Sequence, residues 1–205
     1  MLQDIKKILY RESTILSRLD ELASEITEDY RGRDLTVVAV LNGSLVFMAD
    51  LLRRIPIHLQ LDCLSVASYN GTRSAGQINF RKGQFRDVRN RHILILDDIL
   101  DTGATLKAIR EYIAAESGAL SIKICVLLRK KLDIPKIVDA DYVGFNIPNE
   151  FVVGYGLDYN ERYRNLPFIG VLTDEAIRRH EGIFRPDRPG GKLKELHPSG
   201  DREER

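Results

Sequence analysis

One stretch of the sequence, residues 93–106, carries most of the side chains that could do chemistry. It reads Ile-Leu-Ile-Leu-Asp-Asp-Ile-Leu-Asp-Thr-Gly-Ala-Thr-Leu. The backbone N–H groups and hydroxyls of a helix that begins just after Asp101 would bind an anion such as a monophosphate. Asp97 and Asp98, which follow the apolar run, could bind the hydroxyls of a ribose or help to hold Mg²⁺. The stretch therefore predicts a site for a phosphorylated sugar and a divalent cation.

The same residues could instead have a purely structural role, in which Asp101 only caps the helix. An Asp-Thr-Gly tripeptide is common, and an Asp before a helix most often only caps that helix. The longer pattern is more specific, because it joins an apolar strand, Asp-Asp-x-x-Asp-Thr-Gly-x-Thr and an amphipathic helix in one segment. We therefore favour the binding site over the cap.

The elements that must position these side chains follow from the hydrophobic periodicity. Apolar residues at helical spacing predict a helix over 13–30, and further helices are predicted after the strands at 37–41 and 92–98. The other predicted strands are 61–68, 122–128, 142–147 and 168–172. This alternation is typical of an α/β fold with a doubly wound, mostly parallel sheet and helices on both faces. Such sheets bind ligands at the carboxyl ends of their strands, where the acidic residues fall.

Composition limits the classes of protein that remain. With 43% hydrophobic and 30% charged residues, the 205-residue chain is not wholly disordered, and we expect one domain over 1–180 with a poorly ordered tail over 181–205. Lys and Arg number 31 against 30 Asp and Glu, so no broad positive field indicates a nucleic-acid partner. No apolar run is long enough for a membrane span, and the N-terminus does not look like a signal peptide. The isolated Cys63 and Cys125 indicate buried thiols in a reducing cytoplasm.

Residues 93–106 resemble the phosphoribosyl pyrophosphate signature of the type I phosphoribosyltransferases. Similarity to the branch of that family that acts on 6-oxopurines is found in segments 40–44, 143–148 and 151–159 and in the loop that begins at Ser68-Tyr69. The resemblance runs from about residue 8 to residue 175. It implies that family's fold, with a small hood built from the N- and C-terminal segments. It also implies Mg²⁺-dependent transfer of a 5-phosphoribosyl group from phosphoribosyl pyrophosphate to hypoxanthine or guanine. One position departs from the pattern, because the first acid of the signature is usually Glu and here is the shorter Asp97.

The resemblance assigns roles to residues on the phosphate side. Asp97 and Asp98 would contact the ribose hydroxyls and Mg²⁺, and Asp101 would be the general base or acid at N7 of the purine. The 5′-phosphate would be bound by Asp101, Thr102, Gly103, Ala104 and Thr105. The pyrophosphate would be bound by Leu41, Asn42, Gly43 and Arg164. In the 41–43 loop the family uses a non-proline cis peptide, which aims a backbone N–H at pyrophosphate.

The resemblance also assigns residues on the purine side. Lys130 would donate a hydrogen bond to the oxygen at purine C6, but the neighbouring basic residues, Lys131 among them, leave this register open. Phe151 would stack on the purine, and Val152 would offer backbone groups to its edge. Asp158 would bind a second Mg²⁺ through water.

Two alternatives stay open beside this interpretation. One is a phosphoribosyltransferase that prefers xanthine or a pyrimidine, and the other is a regulator that senses phosphoribosyl pyrophosphate and binds nucleic acid without catalysis. For the enzyme, the loop 68–76 with Ser68 and Tyr69 would be a lid that excludes water during the reaction. The family resemblance implies a homodimer or a homotetramer.

Overall fold

The computed structural model describes residues 1–65, 88–133 and 135–181. A 3₁₀ turn at Leu2–Asp4 precedes eight strands and four helices in these ranges. In chain order they are β1 (Ile5–Tyr10), α1 (Glu12–Tyr30), β2 (Leu35–Leu41), α2 (Leu45–Leu52), β3 (Leu59–Ser65), β4 (His92–Leu100), α3 (Ala104–Ser117), β5 (Ser121–Lys130), β6 (Tyr142–Ile147), β7 (Val152–Val153), β8 (Ile169–Leu172) and α4 (Asp174–Glu181).

Five of the strands form a parallel sheet in the order β3-β2-β4-β5-β6. Alternate residues of β4 enter different hydrophobic clusters. Leu94 and Leu96 pack in the cluster that contains the buried residues of α1 and α2, whereas Ile93 and Ile95 pack in the cluster that contains those of α3. Burial on both faces explains why the central strands read as continuous apolar runs. The predicted doubly wound sheet is confirmed.

A second, smaller sheet is antiparallel and has the order β1-β8-β7. It joins the two ends of the described chain, since Ile5 of β1 is paired with Leu172 of β8. The resemblance implied this hood of terminal segments, but the strand predicted at 168–172 was wrongly placed in the main sheet. A parallel neighbour needs a long crossover, usually a helix, and the described chain forms no helix between β6 and β8.

The strand order creates a crevice at the carboxyl ends of β2 and β4. From β2 the chain moves outward to β3 and then returns to place β4 on the other side of β2. The loops that follow β2 and β4 therefore leave the sheet side by side, which is where open α/β sheets bind ligands. None of the helices in the described ranges is long and apolar enough to cross a membrane.

Candidate active site

The crevice contains a cleft of about 300 Å³, and the predicted phosphate-side residues line it. Its walls come from the end of β2, the end of β4 and the first turn of α3. The lining residues are Val40, Leu41, Asp97, Asp98, Ile99, Leu100, Asp101, Thr102, Gly103, Ala104, Thr105 and Leu106. The structure thus brings together at one place the whole acidic and glycine-containing stretch.

Asp97 and Asp98 lie next to one another inside the cleft, Asp97 buried and Asp98 partly buried. Strand β4 continues past them to Leu100, two residues beyond the predicted end, so both lie within the strand. The backbone N–H of Asp98 donates to Oδ1 of Asp97 at 3.0 Å. Burial, and then the charge of Asp98, raise the pKa of Asp97 well above its ordinary value. Burial also raises the pKa of Asp98, against the opposing effects of its hydrogen bond with Asp97 and the positive charge of Arg164.

The turn into α3 exposes backbone donors to the cleft. Gly103 has φ +87° and lies so close to Val138 that a Cβ would stand 2.9 Å from its Cγ1 atom. The N–H of Lys107 donates to the Gly103 carbonyl at 2.9 Å, and no side chain caps the first turn. The N–H groups of residues 104–106 therefore lack helical acceptors and face outward from the positive end of the helix. Only a 3.5 Å contact joins the Ala104 N–H to Thr102 Oγ1.

The loop after β2 lies directly against the acidic pair. The peptide bond between Leu41 and Asn42 is cis, in the loop where the resemblance implied one. Gly43 packs on Asp98, and a Cβ at this position would lie 1.7 Å from Oδ2 of that residue. Only glycine fits here without moving Asp98. The loop predicted for pyrophosphate and a carboxylate predicted for Mg²⁺ are therefore neighbours.

Lys130, at the end of β5, pairs with a residue that lines the cleft. Its Nζ lies 3.1 Å from Oδ2 of Asp101, and its side chain is 14% exposed against 51% for Asp101. Lys131, the next residue, is exposed and donates its backbone N–H to the Ile147 carbonyl at 2.8 Å. Of the two lysines, only Lys130 is placed beside the residue predicted to act on the purine.

Arg164 and Asp158 form an ion pair above the loop after β2. Nη2 of Arg164 lies 2.8 Å from Oδ1 of Asp158. Nη1 of Arg164 donates to the Gly156 carbonyl at 2.9 Å, and the Gly156 N–H donates to the Arg164 carbonyl at 2.9 Å. Gly156 has φ +99°, and a Cβ there would lie 2.3 Å from the carbonyl oxygen of Gly43. The hood thus brings Arg164 to the 41–43 loop.

The two remaining purine-side residues belong to the hood. Phe151 is 47% exposed, and its ring meets Tyr159 edge to face with centroids 5.1 Å apart. Val152 is buried in β7, where it is paired with Val171 of β8. An aromatic ring that is about half exposed has surface left on which a flat base can stack. The predicted lid residues, Ser68 and Tyr69, lie outside the described residues, and their role stays a prediction.

The acidic residues suit Mg²⁺ as partial ligands. In the described ranges no three His, Cys, Asp or Glu side chains are grouped closely enough to hold a metal by themselves. Mg²⁺ is commonly bound through one or two carboxylates, substrate phosphates and water. The neighbouring carboxyl groups of Asp97 and Asp98, which lie beside the N-terminus of α3, fit that arrangement.

No role was predicted for Tyr155 or for Asp50 from the sequence. The phenol of Tyr155 donates to Oδ2 of Asp50 at 2.5 Å, which links the hood to α2. The sequence held a signal for Tyr155, because glycine flanks it on both sides. In the structure all three residues, 154–156, have positive φ values. Nothing in the local sequence pointed to Asp50, since its partner is 105 residues away.

Comparison with known proteins gives consistent results. The phosphoribosyl transferase domain family matches residues 6–160. The hypoxanthine-guanine phosphoribosyltransferase of Streptococcus pneumoniae is 46% identical over 174 residues, which cover 84% of this chain and 96% of the relative. The crystal structure of a hypoxanthine phosphoribosyltransferase from Staphylococcus aureus is similar with a TM-score of 0.80 and 44% identity, over 85% of this chain and 95% of that one. A Trypanosoma cruzi hypoxanthine phosphoribosyltransferase variant complexed with the product IMP has a TM-score of 0.79 and 36% identity, over 87% and 97% of the two chains.

Proposed function

This chain belongs to the phosphoribosyltransferase family, among the hypoxanthine-guanine phosphoribosyltransferases, and from that premise we propose its reaction. It transfers a 5-phosphoribosyl group from phosphoribosyl pyrophosphate to N9 of hypoxanthine, and of guanine, releasing pyrophosphate and giving IMP or GMP. The observation that carries the proposal is the meeting of three segments at one cleft. These are the acidic stretch with the α3 terminus, the 41–43 loop on Asp98, and the hood segment that holds Arg164.

The proposed binding of the sugar donor uses the phosphate-side residues. The N–H groups at the start of α3 and the hydroxyls of Thr102 and Thr105 bind the 5′-phosphate, which is dianionic and suits a helix N-terminus. Asp97 and Asp98 bind the ribose hydroxyls and hold Mg²⁺, and Asp158 holds a second Mg²⁺ through water. When bound, Mg²⁺ supplies charge neutralisation for the departing pyrophosphate. The 41–43 loop and the Arg164 guanidinium bind the same group from the protein side.

The chemical step needs a proton acceptor at the purine. As N9 forms its bond to C1′, the C1′–O bond to pyrophosphate breaks, and the leaving oxygen takes the electron pair. Asp101, which is half exposed in the cleft, accepts the proton from N7 of the purine. Lys130, which lies beside Asp101, donates a hydrogen bond to the oxygen at C6, and Phe151 stacks on the ring.

We also propose the domain limits, assembly and location that the family implies. The catalytic domain spans 1–180, the chain forms a homodimer or homotetramer, and it works in the cytoplasm. Cys63 and Cys125 are both free thiols, which suits a reducing compartment. Sedimentation of the purified protein measures the assembly.

A panel of bases tests the proposal directly. The protein is incubated with phosphoribosyl pyrophosphate, Mg²⁺ and one of hypoxanthine, guanine, xanthine or uracil, and the nucleotide formed is separated and quantified. We expect IMP and GMP, and a parallel reaction with excess chelator controls for the metal. A preference for xanthine or uracil would reassign the base, and no product with any base would contradict the proposal.

A further inference from the structure

Tyr155 lies in the hood in a conformation that its residue type rarely adopts. Its φ is +54°, between Gly154 at +94° and Gly156 at +99°. The side chain is almost fully buried, with a relative exposure of 2%. A non-glycine residue in the left-handed region is uncommon, and for a bulky residue the surrounding structure must favour it. Backbone hydrogen bonds help to hold this turn, since the Tyr155 N–H donates to the Leu166 carbonyl at 2.8 Å, and the buried Tyr155 side chain adds contacts of its own.

One polar contact anchors the phenol to the opposite part of the molecule. The Tyr155 hydroxyl donates to Oδ2 of Asp50 at 2.5 Å, a distance typical of a hydrogen bond to an ionised acceptor. Asp50 is fixed within α2, since its other carboxylate oxygen pairs with Arg53 and its carbonyl accepts from Arg54 Nη1 at 2.8 Å. Helix α2 begins at Leu45, directly after the 41–44 segment. The bond thus joins the hood to the helix that carries the 41–43 loop at its start.

The residue after Tyr155 contacts both groups that we assigned to pyrophosphate. Gly156 lies on Gly43, where a Cβ would approach the carbonyl oxygen to 2.3 Å. Gly156 also forms two 2.9 Å hydrogen bonds with Arg164. The Gly156 N–H donates to the Arg164 carbonyl, and the Arg164 guanidinium donates to the Gly156 carbonyl. A shift of the 154–156 turn would therefore move Arg164 relative to the 41–43 loop.

We propose that Tyr155 and Asp50 are positioning residues for the pyrophosphate site. Their hydrogen bond holds Gly156 against Gly43 and thereby sets the separation between the 41–43 loop and Arg164. Neither residue needs to touch the substrate for this role. The inference rests on the proposed function, because it takes the pyrophosphate site from there. Its expected signature is weaker binding of the pyrophosphate part of the substrate with little change at the purine.

The test compares Tyr155→Phe with the wild type in steady-state kinetics and in titrations with Mg²⁺ and pyrophosphate. Small misplacements of binding groups have large effects on affinity, so we expect the KM for phosphoribosyl pyrophosphate and the Kd of pyrophosphate to rise about tenfold, that is about 1.4 kcal/mol. The KM for hypoxanthine should change by less than about twofold, since Lys130 lies at the end of β5 and the ring of Phe151 contacts Tyr159, which lies outside the 154–156 turn. Asp50→Ala should match Tyr155→Phe, and Asp50→Asn, which keeps an oxygen acceptor, should restore most of the affinity.

Tyr142→Phe is the matched control. Tyr142 is also a buried tyrosine whose hydroxyl donates to a carboxylate, that of Asp29, but it lies at the amino end of β6, away from the cleft. The Tyr142→Phe variant should have a lower free energy of unfolding and an unchanged affinity for pyrophosphate. The inference is overturned if Tyr155→Phe weakens pyrophosphate no more than Tyr142→Phe does, or if it weakens hypoxanthine by the same factor. A wild-type protein that binds no phosphoribosyl pyrophosphate would overturn the proposed function and this inference together.

Discussion

The hood and the carboxyl end of strand β4 in the main sheet each contain a buried carboxyl group. Their surroundings shift the pKa of the two groups in opposite directions. In the hood, Asp4 accepts hydrogen bonds from Arg179 at 2.9 Å and from the Tyr163 hydroxyl at 3.2 Å. Burial alone would raise its pKa, but these two bonds outweigh it and hold the pKa of Asp4 below the ordinary value. Near the carboxyl end of β4, Asp97 has Asp98 beside it, and burial raises the pKa of Asp97.

The difference indicates which carboxyl groups serve the fold and which serve a ligand. The hydrogen bonds of Asp4 compensate for its burial, and they join the 3₁₀ turn before β1 to Tyr163 and to α4. Two neighbouring carboxyl groups instead disfavour each other's charged form, and groups perturbed in this way cluster at functional sites. Burial alone would not have separated the two regions, since Asp4 and Asp97 are 6% and 9% exposed.

Asp101→Asn should separate activity from stability most clearly. The loss of a general acid or base lowers kcat by about 10²–10⁴-fold. Binding of phosphoribosyl pyrophosphate should persist, and the melting temperature should hardly change because this side chain is 51% exposed. Steady-state kinetics and thermal melting measure the two quantities. Asp34→Asn, at an exposed aspartate before β2, is the control, and a variant at position 101 with half the wild-type kcat would refute the assignment.

Lys130→Met tests the proposed contact with the purine at the carboxyl end of β5. Loss of a charged donor should weaken hypoxanthine binding by about 1.5–3 kcal/mol and leave phosphoribosyl pyrophosphate binding nearly unchanged. Lys131→Met is the control, because that residue is exposed and lies one position away. Equilibrium titration with each ligand gives the two affinities. If Lys131→Met produced the purine defect and Lys130→Met did not, the register would be shifted by one residue.

Asp4→Asn should produce the opposite pattern from Asp101→Asn. The amide keeps one accepting oxygen where the carboxylate has two, so the bond from Arg179 or the bond from Tyr163 is lost together with the negative charge. The unfolding free energy should therefore fall by about 1–3 kcal/mol while kcat stays near the wild-type value. Urea denaturation measures the loss. Glu175→Gln removes the other partner of Arg179, an exposed carboxylate at 2.9 Å, and should cost less than about 1 kcal/mol. Equal losses in the two variants would mean that Asp4 is no more than a surface ion pair.

The dependence of stability on pH should also have opposite signs in the two regions. In the folded protein the pKa of Asp4 lies below its ordinary value of 3.8. The stability that ionised Asp4 contributes is therefore present above pH 3.8, and it disappears as the pH falls through the pKa of the folded state. The folded pKa of Asp97 lies above 3.8, so stability is lost as the pH rises from 3.8 through the folded value. Asparagine does not ionise, so Asp97→Asn should prevent this loss of stability. It should stabilise the ligand-free protein at neutral pH by about 0.5–2 kcal/mol.

Urea denaturation of the wild type and Asp97→Asn from acidic to neutral pH checks this last expectation. The stability difference between them should grow with pH and then level off. A difference that is constant across the range would show that Asp97 titrates alike in the folded and unfolded chains.

The sequence was informative where interactions are local and less so where they join distant segments. The helix predicted over 13–30 is α1 at Glu12–Tyr30, and the strand predicted at 142–147 is β6 with the same bounds, because apolar spacing determines both. The acidic stretch was found for the same reason, since its strand, turn and helix are consecutive. Strand β1 was not predicted as a strand, because the alternation of Ile5–Tyr10 is interrupted by two lysines and its partner is β8.

The candidate site shows the same limit. The positions of Asp97, Asp98 and Asp101 were predictable from one segment, whereas the contact of Lys130 with Asp101 depends on the pairing of β4 with β5. The resemblance to a family supplied Lys130 and Arg164, which no local pattern would have selected from the other basic residues. The Tyr155–Asp50 bond required the packing of the hood on α2, and nothing short of the three-dimensional structure indicates it.

The pairing of β1 with β8 has a consequence for the order in which the protein acquires activity during its synthesis. A chain that emerges from the ribosome amino end first can complete the parallel sheet once residue 147 is free, because all five strands precede that point. Strand β1 must then wait for residues 169–172, and contacts of such long sequence separation form late. Asp97, Asp98 and the start of α3 precede residue 147, whereas Gly156 and Arg164 follow it. The pyrophosphate site proposed above is therefore synthesised in two parts, because its 41–43 loop emerges early and Arg164 emerges only after the five strands of the main sheet.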